Sequence, residues 1–207
     1  MTNPQNEGNI KISDDVKEGD FLKEKQFALA SSLTGNDIKD IRKKLKLTQG
    51  ELAELVNVSV KTVERWEEGK NPISGPVVTL MKILKERPTL SEELRIPVMS
   101  YAVRLWYMYK NEICTIIDVD ERNKRVLVHN YTDHYMFRAF GRNEKPTFEQ
   151  YEEFLESRCF PRTRDKMKLI LKDLDLPFYD PMMIIEKTHG KMAEDDFWIR
   201  IERRSNG

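Results

Sequence analysis

The chain has 207 residues, of which 39% are hydrophobic and 34% charged, a balance that predicts a folded soluble protein in one large or two small domains. Its 35 Lys/Arg balance 35 Asp/Glu, and a net charge of zero argues against a nucleic-acid binder over its whole surface. No apolar run approaches the ~20 residues of a membrane span, and MTNPQNEGNIKISDD has neither the basic start nor the apolar stretch of a secretory signal, so a cytoplasmic protein with no membrane segment is expected.

Residues 1–33 carry 4 Lys/Arg against 6 Asp/Glu. Residues 1–20 are polar and aperiodic and are expected to be disordered; FLKEKQFALASS at 21–32 suits a short helix, so 1–33 is read as an N-terminal arm. Residues 34–90 carry 11 Lys/Arg against 8 Asp/Glu, and 91–207 carry 20 against 21. The only basic segment is therefore 34–90, and there the texture is helical. Thr34 with Asp37 has the spacing of a capping box before Ile38, Ile41 and Leu45. Thr48 with Glu51 repeats the device before Leu52, Ala53, Leu55 and Val56. Ser59 caps a third segment anchored by Val63 and Trp66, and Gly69 is expected as its left-handed stop. Pro76 opens a fourth helix with Val77, Leu80, Met81 and Leu84 inward. Four to five helices and no strands fit this all-α bundle.

The second and third helices have helix-turn-helix spacing. Ala53 is small enough for close helix crossing, Asn57 tolerates the positive φ of the turn, and Val58 and Val63 pack beneath it. The third helix then enters a major groove by its N-terminal end. Lys61 and Arg65, four apart, share an exposed face and can donate to guanine O6/N7, Arg65 with both arms of its fork. Val60 can touch a thymine methyl. Gln49, Ser59, Thr62, Lys70 and Asn71 are placed for phosphates. Lys43, Lys44 and Lys46 add attraction or form a solvated face. Glu64, Glu67 and Glu68 should point away from DNA.

The segment 47–88, LTQGELAELVNVSVKTVERWEEGKNPISGPVVTLMKILKERP, resembles the Xre/lambda-repressor-like helix-turn-helix family. Its run Trp66-Glu67-Glu68-Gly69, Pro72, Ser74-Gly75-Pro76 and Leu84 with Pro88 is most similar to HigA/MqsA-type antitoxin regulators. The resemblance implies a homodimer that binds a palindromic double-stranded DNA operator and represses its own operon. It carries the base-reading role to Val60, Lys61 and Arg65 and the phosphate role to Gln49, Ser59, Thr62 and Lys70. Asn57 departs from the usual turn glycine. The paired-cysteine zinc module of some of these antitoxins is absent, so no zinc is carried over.

Residues 91–100 read as a linker or a short extra helix. Beyond them, 101–109, 112–119 and 124–131 are rich in aromatic and β-branched residues, with a hairpin turn at 120–123. Helical periodicity returns at 147–157, behind Thr147 and Gln150, and at 164–174. Asp180-Pro181 opens a helix through Ile185, and FWIRI at 197–201 alternates as a strand. The region 101–207 is thus an α+β domain. No phosphate loop, nucleophile elbow or metal-ligand spacing occurs. His129, His134 and His189 lie far apart, and Glu194-Asp195-Asp196 reads as a turn. No cofactor, metal or catalytic residue is assigned. Cys114 and Cys159 are isolated, as for buried or inert thiols in a reducing compartment. Arg138 and Arg142 around Gly141, and Arg158, Arg162 and Arg164 around a Phe-Pro bend, are partner-binding candidates. The alternative is internal pairing with the acidic runs 149–156 and 194–196. RCFPRTR, YDP and KTHGKMAEDDFWIRI are similar, with looser spacing, to modules of toxin–antitoxin and HipA-like loci, which implies a partner-sensing domain.

The expected function is a non-enzymatic DNA-binding repressor, an autoregulating antitoxin with a toxin- or ligand-binding C-terminal domain. The alternatives are a phage or mobile-element regulator sensing a small molecule and a DNA-tethered nuclease or transferase.

Overall fold

The computed structural model describes residues 26–204. The expectations for an acidic disordered start and for a helix beginning at residue 21 fall largely outside them; residues 26–32 form no helix. The chain divides into two compact units, Met1–Ser91 and Glu92–Gly207.

The first unit is built from α1 (Gly35–Lys44), α2 (Gln49–Leu55), α3 (Val60–Glu68) and α4 (Pro76–Glu86); the short α5 (Thr89–Glu93) spans the boundary. Local chemistry sets the starts. The Asp37 N–H donates to Thr34 Oγ1 at 3.2 Å while the Thr34 N–H donates to Asp37 Oδ2 at 2.8 Å; the Thr34 hydroxyl, 2.7 Å from Asp37 Oδ2, and then that N–H hold the Asp37 carboxyl below its usual range. Glu51 and Thr48 repeat the exchange at 3.2 and 2.8 Å, and the Thr62 N–H donates to Ser59 Oγ at 3.2 Å. Each such cap stabilises by about 1 kcal/mol. The core gathers Ile38, Ile41, Leu45, Leu52, Ala53, Val63, Met81 and Leu84. On α4, Val78, Met81 and Leu84 are buried, whereas Val77 and Leu80 are half-buried. The stripe is centred one residue from the predicted one, because over three turns a 3.6-residue repeat fits both phases. Outside the helices, Leu33 and Ile73 form a single antiparallel bridge.

Two glycines correct the sequence reading. Gly69 is not left-handed: its backbone is extended, with φ −72° and ψ 148°. It is glycine because a Cβ there would lie 2.6 Å from the Arg65 carbonyl oxygen, the acceptor of its own N–H at 2.9 Å. At Gly35 a Cβ would lie 2.3 Å from the Trp66 carbonyl oxygen, so the first residue of α1 sits directly on the backbone of α3. The turn residue Asn57 does have φ 56°.

The second unit is a four-stranded antiparallel sheet in the order β3-β2-β1-β4, from β1 (Val103–Tyr109), β2 (Glu112–Asp120), β3 (Arg125–Asn130) and β4 (Phe197–Arg203). Between β3 and β4 come a 3-10 turn at Tyr135–Phe137, then α6 (Phe148–Ser157), α7 (Met167–Asp173) and α8 (Pro181–Thr188). Period-two alternation puts Val103, Leu105, Tyr107, Ile117, Val119 and Ile199 in one core with Tyr151, Phe154 and Leu155 of α6 and Ile184 and Ile185 of α8. Thr147 and Gln150 cap α6 reciprocally. Asp180 accepts the Met183 N–H at 2.9 Å to start α8. That helix continues past Ile185 to Thr188 before His189 and Gly190, both at positive φ, end it. In the β2–β3 hairpin the Asn123 side chain, then Arg125, hold the Asp120 carboxyl down to about 2.

The opposite face of the sheet carries a buried ion pair. Arg104 Nε and Nη2 donate to Asp118 at 2.6 and 2.8 Å. Residues 95–100 lie against it: Arg104 Nη1 donates to the Pro97 carbonyl at 2.8 Å, the Ser100 N–H to Asp118 at 2.6 Å, and the Tyr131 hydroxyl to the Arg95 carbonyl at 2.9 Å.

Candidate nucleic-acid interface

The candidate interface is the outward face of α3, and what fixes that helix is a buried carboxylate. Arg42 of α1 donates from Nε and Nη2 to both oxygens of Glu67, at 2.6 and 2.9 Å, and from Nη1 to the Leu47 carbonyl at 2.9 Å. Gln49, the first residue of α2, donates its amide to Glu67 Oε2 at 3.0 Å. The Glu67 side chain is 3% exposed and that of Arg42 13%. The Arg42 fork, then the Gln49 amide, hold the Glu67 carboxyl below its usual range, and the same bond raises the Arg42 guanidinium. A bidentate pair of this kind fixes direction as well as distance, so three helices meet at one carboxylate.

With α3 held from below by Val63, fully buried, its other side is presented outward. Val60 is 44% exposed. Lys61 and Arg65, one turn apart, are exposed and bond to none of the described residues. Lys70 and Asn71 are exposed just beyond the helix. Ser59 and Thr62 lie at its start with their hydroxyl oxygens 2.9 Å apart, engaged in the cap yet able to offer one further bond. Gln49 retains a second amide hydrogen beyond its bond to Glu67. Trp66 is half-buried against the core.

Glu67 and Arg42 are the residues that sequence reading missed. A signal for one of them is present. Arg42 is the arginine in a run otherwise of lysines, Lys43, Lys44 and Lys46, and a planar fork is the side chain suited to a desolvated carboxylate. Its partner, 25 residues away, carries no such mark.

The arginines of the second unit are placed differently. Arg158 is buried and donates to the Gly190 and Phe197 carbonyls and to both oxygens of Asp195, at 2.7–3.1 Å. Arg162 pairs with Glu156 at 2.6 Å and lies 4.6 Å over the Tyr179 ring. Arg138 donates to the Thr132 carbonyl at 2.7 Å, with Glu144 and Asp133 at 3.5 and 3.7 Å. Arg142 lies 4.5 Å over Tyr135, and Arg164 is exposed. Asp196 faces Lys110 at 3.4 Å. Among the described residues no three His, Cys, Asp or Glu come together as a metal site. Cys114 and Cys159 are buried and free; burial pushes the Cys159 thiol up to about 12. A cleft of about 610 Å³ runs past Phe148, Tyr151, Tyr179 and Met182. Its walls include Glu121, Glu152, Glu156 and Arg162, unlike the mostly apolar pocket of a small-molecule sensor.

The tightly turned α2–α3 pair, with a basic face that has no carboxylate partner among the described residues, has the arrangement expected of a helix-turn-helix. Comparison with known proteins narrows that class. Residues 8–95 match the family described as the antitoxin component of bacterial toxin-antitoxin systems, MqsA. Antitoxin HigA-2 of Vibrio cholerae serotype O1 (strain ATCC 39315 / El Tor Inaba N16961) is 34% identical over 61 residues, 29% of this chain. The chain spans 59% of that relative's length. Over this segment the chain is similar to antitoxins of the HigA/MqsA type, in line with the sequence resemblance. Among the described residues no helix is long and apolar enough to cross a membrane.

Proposed function

We propose that the protein is the antitoxin of a toxin–antitoxin pair and a sequence-specific DNA-binding repressor. It reads a palindromic operator as a dimer through α3. The carrying observation is the pairing pattern on that helix. Glu67 is neutralised from below by Arg42 and Gln49, while Lys61 and Arg65 face outward with no acidic partner among the described residues. Arg65 and Lys61 read guanine edges and Val60 a thymine methyl. Gln49, Ser59, Thr62, Lys70 and Asn71 hold phosphates and set the register. The family match supports the antitoxin reading, and with it a regulatory role and not a catalytic one. The second unit, nearly all of it beyond the matched residues, serves as the surface for a toxin partner.

The test is a gel-shift titration of the full chain on its own upstream DNA. Arg65→Ala should weaken operator binding by about 1–3 kcal/mol, and log K should fall linearly with log salt. Equal binding by Arg65→Ala and the parent chain contradicts the assignment of α3. The partner claim is tested by co-expressing the product of the adjacent gene and looking for a stable complex.

A further inference from the structure

The two edges of the sheet differ. Antiparallel pairing directs alternate residues of an edge strand toward the sheet and away from it. The Arg204 N–H donates to Ala102 beside β1, so Phe197, Ile199, Ile201 and Arg203 of β4 point their backbone groups outward. The first half of this edge is covered, the Phe197 carbonyl accepting from Arg158 at 3.1 Å and the Ile199 N–H donating to the His189 carbonyl at 2.7 Å, which leaves the backbone groups of Ile201 and Arg203 open among the described residues. On the other edge the Tyr131 N–H donates to the Cys114 carbonyl of β2, so Val126, Val128 and Asn130 point their backbone groups away from the sheet. Among the described residues none of these six groups has a backbone or side-chain partner. The strand is apolar over Val126–Val128, Leu127 is 48% exposed, and there is no Pro or Lys between Arg125 and Asn130 to deter pairing.

We propose that this edge is the contact between two copies of the chain, with β3 pairing antiparallel to β3 of the second copy across a two-fold axis at Val128. This rests on the reading of the protein as a dimeric operator binder and names the surface. Outward parity limits the registers. Centred on Val128, the bonded pairs are Val128 with Val128 and Val126 with Asn130, giving six hydrogen bonds. On the faces between, Leu127 meets His129 and Arg125 meets Tyr131. No two like charges oppose each other in this register, and the same patch serves both copies, as a closed dimer requires. Centring one step earlier, on Leu127, sets Arg125 against His129.

The experiment is done without DNA, so it can fail independently of operator reading. Sedimentation equilibrium of the full chain at micromolar concentration should give a dimer. Val128→Cys should cross-link on mild oxidation, because Cα atoms of such a pair lie about 5.5 Å apart, within disulfide range. Val126→Cys, opposite Asn130, should not. Val128→Pro removes only an outward N–H, which an edge strand tolerates, and should give a monomer with an unchanged circular dichroism spectrum. If that variant misfolds, the cysteine pair still decides. A monomeric parent chain, an undissociated Val128→Pro dimer, or equal cross-linking at 126 and 128 overturns the proposal. Arg65→Ala should remain a dimer.

Discussion

The two units of this chain use arginine in opposite ways. In the helical unit one arginine, Arg42, is turned inward onto Glu67, and the candidate interface beside it keeps Lys61 and Arg65 without a carboxylate among the described residues. In the sheet unit four arginines are occupied by the fold: Arg104 by Asp118, Arg158 by Asp195, Arg162 by Glu156 and Arg203 by Glu186. A cation already held by a carboxylate must break that bond to take a phosphate, whereas a solvated one exchanges only water and counterions. The contrast supports the proposal of an anion-binding face on the helical unit of a chain whose total charge is zero.

The largest expected effects come from breaking the buried pairs. Glu67→Ala leaves Arg42 buried without its partner and should destabilise the helical unit by about 3–5 kcal/mol. Arg158→Ala, which strands Asp195 and two carbonyls, should act comparably on the sheet unit. Chemical denaturation followed by circular dichroism checks both, and a loss below about 1 kcal/mol in either would show that the pair does not hold its unit together. Next is Gly69→Ala. Its Cβ would meet a backbone oxygen and not a flexible side chain, so a loss of about 1–3 kcal/mol is expected. A left-handed stop replaced by D-alanine would regain stability; here D-alanine should bring no such gain.

Acid should weaken both units through depressed carboxyls. Glu67 and Asp195 titrate below their ordinary values of 4.5 and 3.8 in the folded chain. Their contribution is therefore complete above those values and is lost as pH falls through the depressed ones. Melting temperature measured from pH 6 to pH 3 should stay level and then fall below about 4.5; Glu67→Gln should flatten the first part of that fall. The smallest effect concerns the thiols. Cys114 and Cys159, buried and with raised pKa values, should not react with Ellman's reagent at pH 8 until the chain is denatured.

Sequence made the local devices legible and the distant ones not. Thr34–Asp37, Thr48–Glu51 and Thr147–Gln150 are three residues apart, so spacing alone locates them, and the alternation of 197–201 was enough to find β4. The turn φ of Asn57 follows from its side chain. Gly69 shows the limit: a glycine after a helix suggests a positive φ, but here close approach to Arg65 demands it, and that approach exists only in three dimensions. Arg42–Glu67, Arg104–Asp118 and Arg158–Asp195 lie 25, 14 and 37 residues apart, and charge composition does not say which cation meets which carboxylate. At the candidate interface, exposure of Val60, Lys61 and Arg65 follows from helical periodicity, while the carboxylate that orients them does not.

Fluorescence anisotropy of the full chain on its own upstream DNA, in parallel for Arg65→Ala and Arg162→Ala, tests the contrast between the units most directly. The account predicts a roughly 5- to 150-fold loss of operator affinity for Arg65→Ala and no change for Arg162→Ala. Unchanged affinity for Arg65→Ala, or an equal loss for both, would contradict it.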